Sequence, residues 1–230
     1  MTSQSTTDAY RPTPLLDDVA LAERIFRHID DGTTDLGDSV WREPVSHYLS
    51  RERFEAECAL IRRHPTPFCP SAALPENGSY LARSAAGNPI VVTRGDDGKV
   101  SAFINACRHR GMQVAAGSGC AKALSCPYHG WTYGLDGVLK GVPGQSGFPD
   151  LDREQHGLKS VSVIEQGGIV YVQQEGDIDP THLTHALEHF SVDQQLFNQQ
   201  VLTDAANWKL LYETLMEGYH IKSLHRESFY

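Results

Sequence analysis

Four side chains carry the chemistry that stands out in this sequence: Cys107 and His109 in Cys-Arg-His, and Cys126 and His129 in Cys-Pro-Tyr-His. Sixteen residues separate His109 from Cys126. Each arm offers one thiolate and one imidazole. A [2Fe–2S] cluster with two Cys on one iron and two His on the other needs this donor set. A structural zinc site accepts the same four donors, but zinc fingers usually place Cys near Cys and His near His. Mixed arms suit a diamond-shaped cluster in which each loop reaches both irons. Further along, Glu217-Gly-Tyr-His220 precedes His225, a set able to hold a separate iron. Together the two constellations suggest an enzyme that carries electrons to an oxygen-activating metal.

The elements that position these residues follow from periodicity and turn chemistry. Ala22, Ile25, Phe26 and Ile29 predict a helix from Asp18 to Ile29, stopped by Gly32. Phe54, Cys58 and Ile61 predict a second helix from Arg51 to Arg63, with Ser50 as its N-cap and Pro65 and Pro67 beyond it. From Cys69 to Gln173 short β-type runs alternate with Gly-rich turns. The runs 89–94 and 99–104 flank Gly-Asp-Asp-Gly, and 161–165 and 169–172 flank Gly167-Gly168, two hairpin signals. The ligand arms lie between these hairpins, with Gly111 and Gly130 placed to let the backbone curl around a cluster. The expectation is a small antiparallel β domain carrying the cluster at the tips of two loops. Asp179-Pro180 predicts a helix reaching Phe190, and Asp204 or Ala205 opens another that runs through His220.

Helical spacing would set Glu217 and His220 on one face. His220 and His225 would then stand about 140° apart. For both to bind one metal, the helix must distort or end between them.

Composition narrows the rest. The 230 residues allow one large domain or two smaller ones. With 20 Lys+Arg against 29 Asp+Glu, the formal charge of −9 argues against nucleic-acid binding. The five cysteines, Cys58, Cys69, Cys107, Cys120 and Cys126, do not form a secreted disulfide framework. Residues 1–14 show no signal peptide, and no run approaches the ~20 apolar residues of a membrane span. A cytoplasmic protein is expected. His28, His47, His64, His156, His182, His185 and His189 lack a partner pattern and read as surface or capping residues, and Leu210 and Met216 as an apolar helix face.

The wider motifs, Cys-Arg-His-Arg-Gly at 107–111, Cys-Pro-Tyr-His-Gly-Trp-Thr-Tyr at 126–133, Arg94-Gly-Asp-Asp-Gly98, Asn105-Ala-Cys107 and Asp136-Gly-Val-Leu-Lys-Gly-Val-Pro143, resemble the α subunit of Rieske non-haem iron oxygenases. The resemblance spans residues 48–225 and implies an α+β fold. Residues 1–47 would be a helical extension and 48–175 an antiparallel β Rieske domain with its preceding helix. Residues 176–230 would be the incomplete start of an α+β catalytic domain.

The resemblance also implies roles. Cys107, His109, Cys126 and His129 would hold the cluster, and His220 and His225 would be two ligands of a mononuclear Fe(II). Asn207-Trp208-Lys209 with Glu213 looks like the opening signature of the catalytic domain, although Thr214 stands where the family commonly has Asn. Glu217 would be the bridging acid that hydrogen-bonds the iron-ligand His220 and reaches His129 of a neighbouring subunit. That acid is often Asp in ring dioxygenases; Glu there leans toward the monooxygenases of carnitine-like amines. Respiratory Rieske proteins carry two further cysteines where this chain has Met112 and Tyr128, and a sulfide-donating serine where it has Trp131. The cluster potential is therefore expected at the low end, about −150 mV rather than +300 mV.

Arg108 and Arg110 flank the first arm and could guide docking of an acidic donor, although exposed arginines near a loop more often make local ion pairs. A ferredoxin or flavin reductase would supply electrons from NAD(P)H, and the full-length protein would be a homotrimer acting on O2 and a small organic substrate. The family's third iron ligand, a carboxylate, lies far downstream, and the sequence stops at Tyr230. The sequence thus reads as a fragment or a truncated protein with an incomplete catalytic site. Two rival readings are a stand-alone Rieske electron carrier and a zinc-stabilised binding module.

Overall fold

The computed structural model describes residues 16–37, 39–184, 190–191, 193–201 and 205–228. The chain divides into two compact units, 1–44 and 45–230. The first contains helix α1 (Asp18–Asp31), which starts where its sequence says it should: the Asp17 carboxylate accepts the Ala20 N–H, and Gly32 closes the far end in the left-handed conformation. His28 caps locally, with Nδ1 on the Thr33 hydroxyl and Nε2 on Asp35.

The second unit opens with α2 (Ser46–Leu49) and α3 (Arg51–Arg62). Ser50 caps α3 by accepting the Arg53 N–H. Seven strands then form one antiparallel sheet: β1 (Thr66–Pro70), β2 (Ser79–Ala85), β3 (Asn88–Arg94), β4 (Val100–Ile104), β5 (Gly117–Cys120), β9 (Ser160–Gln166) and β10 (Ile169–Gln173). Their spatial order is β1-β10-β9-β4-β3-β2-β5. Between β5 and β9 the chain leaves to build a separate sheet of β6 (Leu124–Ser125), β7 (Thr132–Tyr133) and β8 (Leu139–Gly141). Both expected hairpins form, with Arg94 opposite Val100 and Gln166 opposite Ile169.

Strand β3 shows how the core is organised. Ile90, Val91 and Val92 are all fully buried, because alternate side chains serve two different cores. Ile90 and Val92 pack with Phe68, Leu81 and Val170 on one face. Val91 and its partner Phe103 pack on the other with Leu124, Tyr133 and Leu139 of the small sheet and with Cys107 and Cys126. The second core therefore holds the base of both ligand arms. The buried Thr93 hydroxyl donates to the Leu135 carbonyl (2.7 Å) and ties the two sheets together.

Helix α3 is fastened to this sheet at its C-terminus. The N–H groups of Gln174 and Glu175 both donate to the Arg62 carbonyl (3.0 Å each), and the Arg62 guanidinium donates to Glu175 and to the Ala86 carbonyl.

The C-terminal helices depart from expectation. Asp179 caps a turn with Pro180 at its first position, as read, but that turn is a 3-10 segment, Pro180–Leu183. Residues 185–189 of the expected helix lie outside the described residues, as does Asp204. The next helix, α4, spans Trp208–Met216 with Asn207 as cap, and it does not continue through His220. Glu217 is extended (φ −105°, ψ 121°), and a one-turn helix α5 (Ile221–Leu224) follows His220. The apolar residues Leu210 and Met216 are largely exposed rather than packed. Among the described residues, no helix is long and apolar enough to cross a membrane.

Candidate metal centre

The first arm, 107–112, lies between β4 and β5, and the second, 126–131, joins β6 to β7. Both are built on one backbone frame. In each, the Cys N–H donates to the carbonyl five residues on: Cys107 to Met112 and Cys126 to Trp131, both at 2.8 Å. In each, the glycine four residues on donates back to the Cys carbonyl: Gly111 to Cys107 at 2.8 Å and Gly130 to Cys126 at 3.0 Å. Gly111 (φ 74°) and Gly130 (φ 72°) take the left-handed conformation that closes such a loop, which any Cβ would strain. Two separate stretches of chain thus hold a Cys at matching positions, with the His two residues on in the first (His109) and three residues on in the second (His129).

Asn105 closes the first arm at its base. Its carbonyl oxygen accepts the Val114 and Ala115 N–H groups (2.9 and 3.2 Å), and its amide donates to the Ala115 carbonyl (2.8 Å). The side chain is buried and bonded at both ends. The motif Asn105-Ala-Cys107 therefore has a physical reading: the amide fixes the loop stem two residues before the thiol.

The arms bring the four donors to one place. The His109 and His129 rings lie edge to face, 4.6 Å between centroids. Trp131 stacks on His109 (5.1 Å, 9° between planes), and Tyr128 stacks on His129 (3.7 Å, 27°). Trp131 is thus a wall against His109. Cys107 and Cys126 are 4% and 3% exposed and unpaired, whereas His129 is exposed. Met112 and Tyr128, side chains that form no disulfide, stand exposed beside the donors.

Several observations fit an iron–sulfur group here. His109 Nδ1 is buried without a hydrogen-bond partner, the expected state of a nitrogen whose lone pair is reserved for a metal. Burial of the ring, then the neighbouring His129 and Arg110, hold the His109 pKa below the usual imidazole value.

Tyr133 had no role assigned from sequence. Its hydroxyl lies 3.2 Å from Cys107 Sγ and accepts the Arg108 N–H at 2.9 Å. Against a deprotonated, metal-bound sulfur the phenol O–H is the donor of this pair, since a thiolate has no proton to give. Burial first, and the Cys107 sulfur second, push the phenol pKa well up, so the proton stays in place. A donor to a cluster thiolate stabilises the more negative reduced state. Tyr133→Phe should therefore lower the cluster potential by about 40 mV, the one-electron equivalent of ~1 kcal/mol. Redox titration checks this; an unchanged or raised potential contradicts it.

The second constellation is assembled by a break rather than by a helix. The Glu217 carboxylate accepts the His220 N–H at 3.0 Å and lies 3.3 Å from His220 Nδ1. Glu217 and His220 do meet, but through a local bond from the His220 backbone to the Glu217 side chain just before α5. With α5 between them, His220 and His225 turn toward each other, 5.4 Å between ring centroids. Glu217 engages His220 rather than joining the two histidines in a three-donor cage. A cleft of about 1010 Å³, lined by Ser71, Arg94, Glu165 and Phe190 among others, shares no residue with either constellation. Its arginine is already committed to Glu165 and to the Leu74 and Gly98 carbonyls.

Comparison with known proteins assigns these two regions separately. Residues 64–152 match the Rieske [2Fe-2S] domain, and residues 192–230 match the ring hydroxylating alpha subunit catalytic domain. The glycine betaine monooxygenase oxygenase subunit of Chromohalobacter salexigens is 36% identical over 94% of this chain and 49% of its own length. The anthranilate 1,2-dioxygenase large subunit of Burkholderia cepacia is 32% identical over 87% of this chain and 49% of its own length. The crystal structure of a quaternary ammonium Rieske monooxygenase with its substrate gamma-butyrobetaine is similar in fold (TM-score 0.74, 30% identity, 82% of this chain, 57% of that one). The chain spans about half the length of the curated relatives it matches. The stand-alone carrier reading draws no support, since a carrier needs no match to a catalytic domain.

Proposed function

Because the chain belongs with the Rieske oxygenase α subunits, we propose that Cys107 and Cys126 bind one iron of a [2Fe–2S] cluster and His109 and His129 the other. In the same reading, His220 and His225 are two ligands of a mononuclear iron. When bound, these groups supply one-electron storage and O2 activation. The protein's own residues do the rest. The buried thiols and the Tyr133 hydroxyl shield and tune the sulfur end. The exposed His129 offers the route for electrons to leave. Glu217 orients His220 from its own chain and, in a homotrimer, would face His129 of the neighbouring subunit.

The observation that supports this reading is the repeated loop frame: two separate loops bury Cys107 and Cys126 in one core and carry His109 and His129 with their rings 4.6 Å apart. We assign residues 1–47 as an extension, 48–175 as the cluster domain and 176–230 as the start of the catalytic domain. Electrons come from a reductase, directly or through a ferredoxin docking near Arg108 and Arg110, in the cytoplasm. The substrate class is a small quaternary ammonium compound. Its support is Glu217 in the bridging place together with the likeness to glycine betaine and quaternary ammonium monooxygenases.

The decisive experiment is anaerobic isolation with metal and sulfide analysis. Two irons and two acid-labile sulfides per chain, with a rhombic EPR signal after dithionite and further iron retained when Fe(II) is supplied, are expected. A colourless protein holding zinc without labile sulfide would overturn the proposal.

A further inference from the structure

Residues 45–62 lie outside both matched domains, yet they hold the helix that leads into the second constellation. Asn207 Nδ2 donates to the Tyr48 carbonyl at 2.9 Å. Trp208 Nε1 donates to Glu57 at 3.0 Å, and Lys209 Nζ donates to both Glu57 oxygens at 2.8 Å. The Tyr48 hydroxyl donates to the Glu213 carboxylate at 2.9 Å. Every member of the motif Asn-Trp-Lys…Glu thus contacts α2 or α3. The Lys209 ammonium is enclosed: it lies over the Tyr48 and Trp208 rings (5.6 and 5.7 Å to the centroids), and both Lys209 and Glu57 side chains are 16% exposed.

Helix α4 needs such a hold. It has nine residues, and none of them is buried. An isolated helix of that length is not stable in water. Polar contacts at its first turn, not an apolar face, keep it on α3. Helix α3 is in turn bonded through Arg62 to the strand that carries the chain out of the β sheet. A continuous path therefore runs from the cluster-bearing sheet through α3 and Glu57 to α4, and then to Glu217 and His220.

We propose that Glu57 is a positioning residue for the mononuclear metal site, acting through Lys209 and Trp208 to hold the α4–α5 ligand strip. The proposal rests on the reading of His220 and His225 as metal ligands.

The test compares wild type, Glu57→Gln and Lys209→Met, all loaded with the cluster and all checked for unchanged cluster absorbance. Co(II) is the probe, titrated by its visible spectrum. A His220→Ala variant reports binding elsewhere. Hydrogen exchange of residues 208–225 and 107–133 is read in parallel. Each clamp variant should weaken Co(II) binding about tenfold and speed exchange in 208–225 roughly tenfold, with 107–133 unaffected. The double variant should lose little more than either single one, as expected of two residues acting as a unit. Unchanged Co(II) affinity in both single variants overturns the positioning role, even if exchange rises. Wild-type protein that binds no Co(II) beyond His220→Ala overturns the metal-ligand reading itself, an outcome distinct from failure of the clamp.

Discussion

Replacement of Cys126 by serine should give a colourless protein with no rhombic EPR signal after dithionite, and Cys107→Ser should do the same. Serine has nearly the shape of cysteine but no accessible oxyanion near neutral pH, so an iron loses its ligand. The effect should extend to stability. Both sulfurs sit in the core formed by Val91, Phe103, Leu124, Trp131, Tyr133 and Leu139, and the arms that carry them meet through aromatic contacts and through the Tyr133 hydroxyl at Cys107 and Arg108. A cluster bonded to both arms cross-links the seven-stranded sheet to the three-stranded one, and metal-binding energy of this kind counts directly toward folding. Loss of the cluster should therefore lower the thermal midpoint of the β domain and expose the segment 107–131 to hydrogen exchange. Cys120→Ser is the control. Cys120 is exposed, and its sulfur lies a long 3.7 Å from the Asn77 carbonyl. That variant should keep colour, EPR signal and stability. Retention of the cluster after loss of either Cys107 or Cys126 would remove the basis for the donor assignment.

Much of this arrangement is legible in the sequence because it is local. The Ser50 cap, the Gly-Asp-Asp-Gly hairpin and the two ligand arms each depend on residues within about ten positions of one another, and the structure shows all of them. The seven-plus-three division of strands has no such local signal. Nor does the Glu57–Lys209 clamp, whose partners are separated by 152 positions. Tyr133 stands in plain view in the second arm, but its hydroxyl reaches the first arm 26 positions earlier, which no periodicity reports.

The failure at α4 is different in kind. The expectation of one helix from Asp204 or Ala205 through His220, with Leu210 and Met216 on an apolar face, ignores a competing local bond. The Glu217 side chain takes the His220 N–H, Gly218 follows with little helical preference, and the helix stops. For the two histidines to share a metal, a continuous helix has to distort or end between them. The break occurs just before His220, where a cap can turn the following segment.

That cap makes Glu217 the site of the second large effect. Glu217→Ala should weaken metal binding at His220 and His225 by about 10- to 100-fold, the usual consequence of removing a group that orients a histidine ligand. Two functions are lost at once. The N–H of His220, the residue just before α5, loses its acceptor, and the His220 ring loses the carboxylate 3.3 Å from Nδ1. Glu217→Gln separates them. Its amide oxygen can still accept the backbone N–H, so the turn survives, but no negative charge remains to polarise the imidazole. The Gln variant should fall between wild type and Ala in Co(II) or Fe(II) affinity while keeping wild-type exchange rates at residues 220–225. The cluster potential should be unchanged within a single chain, because no described contact joins Glu217 to the four cluster donors. In the full-length assembly the same substitutions should also slow reoxidation of the reduced cluster under substrate and O2, since the proposed route to the neighbouring iron runs through this carboxylate. Equal metal affinity in all three proteins would show that His220 is oriented by something other than Glu217. A Gln variant as weak as Ala would place the whole effect on the charge rather than on the cap.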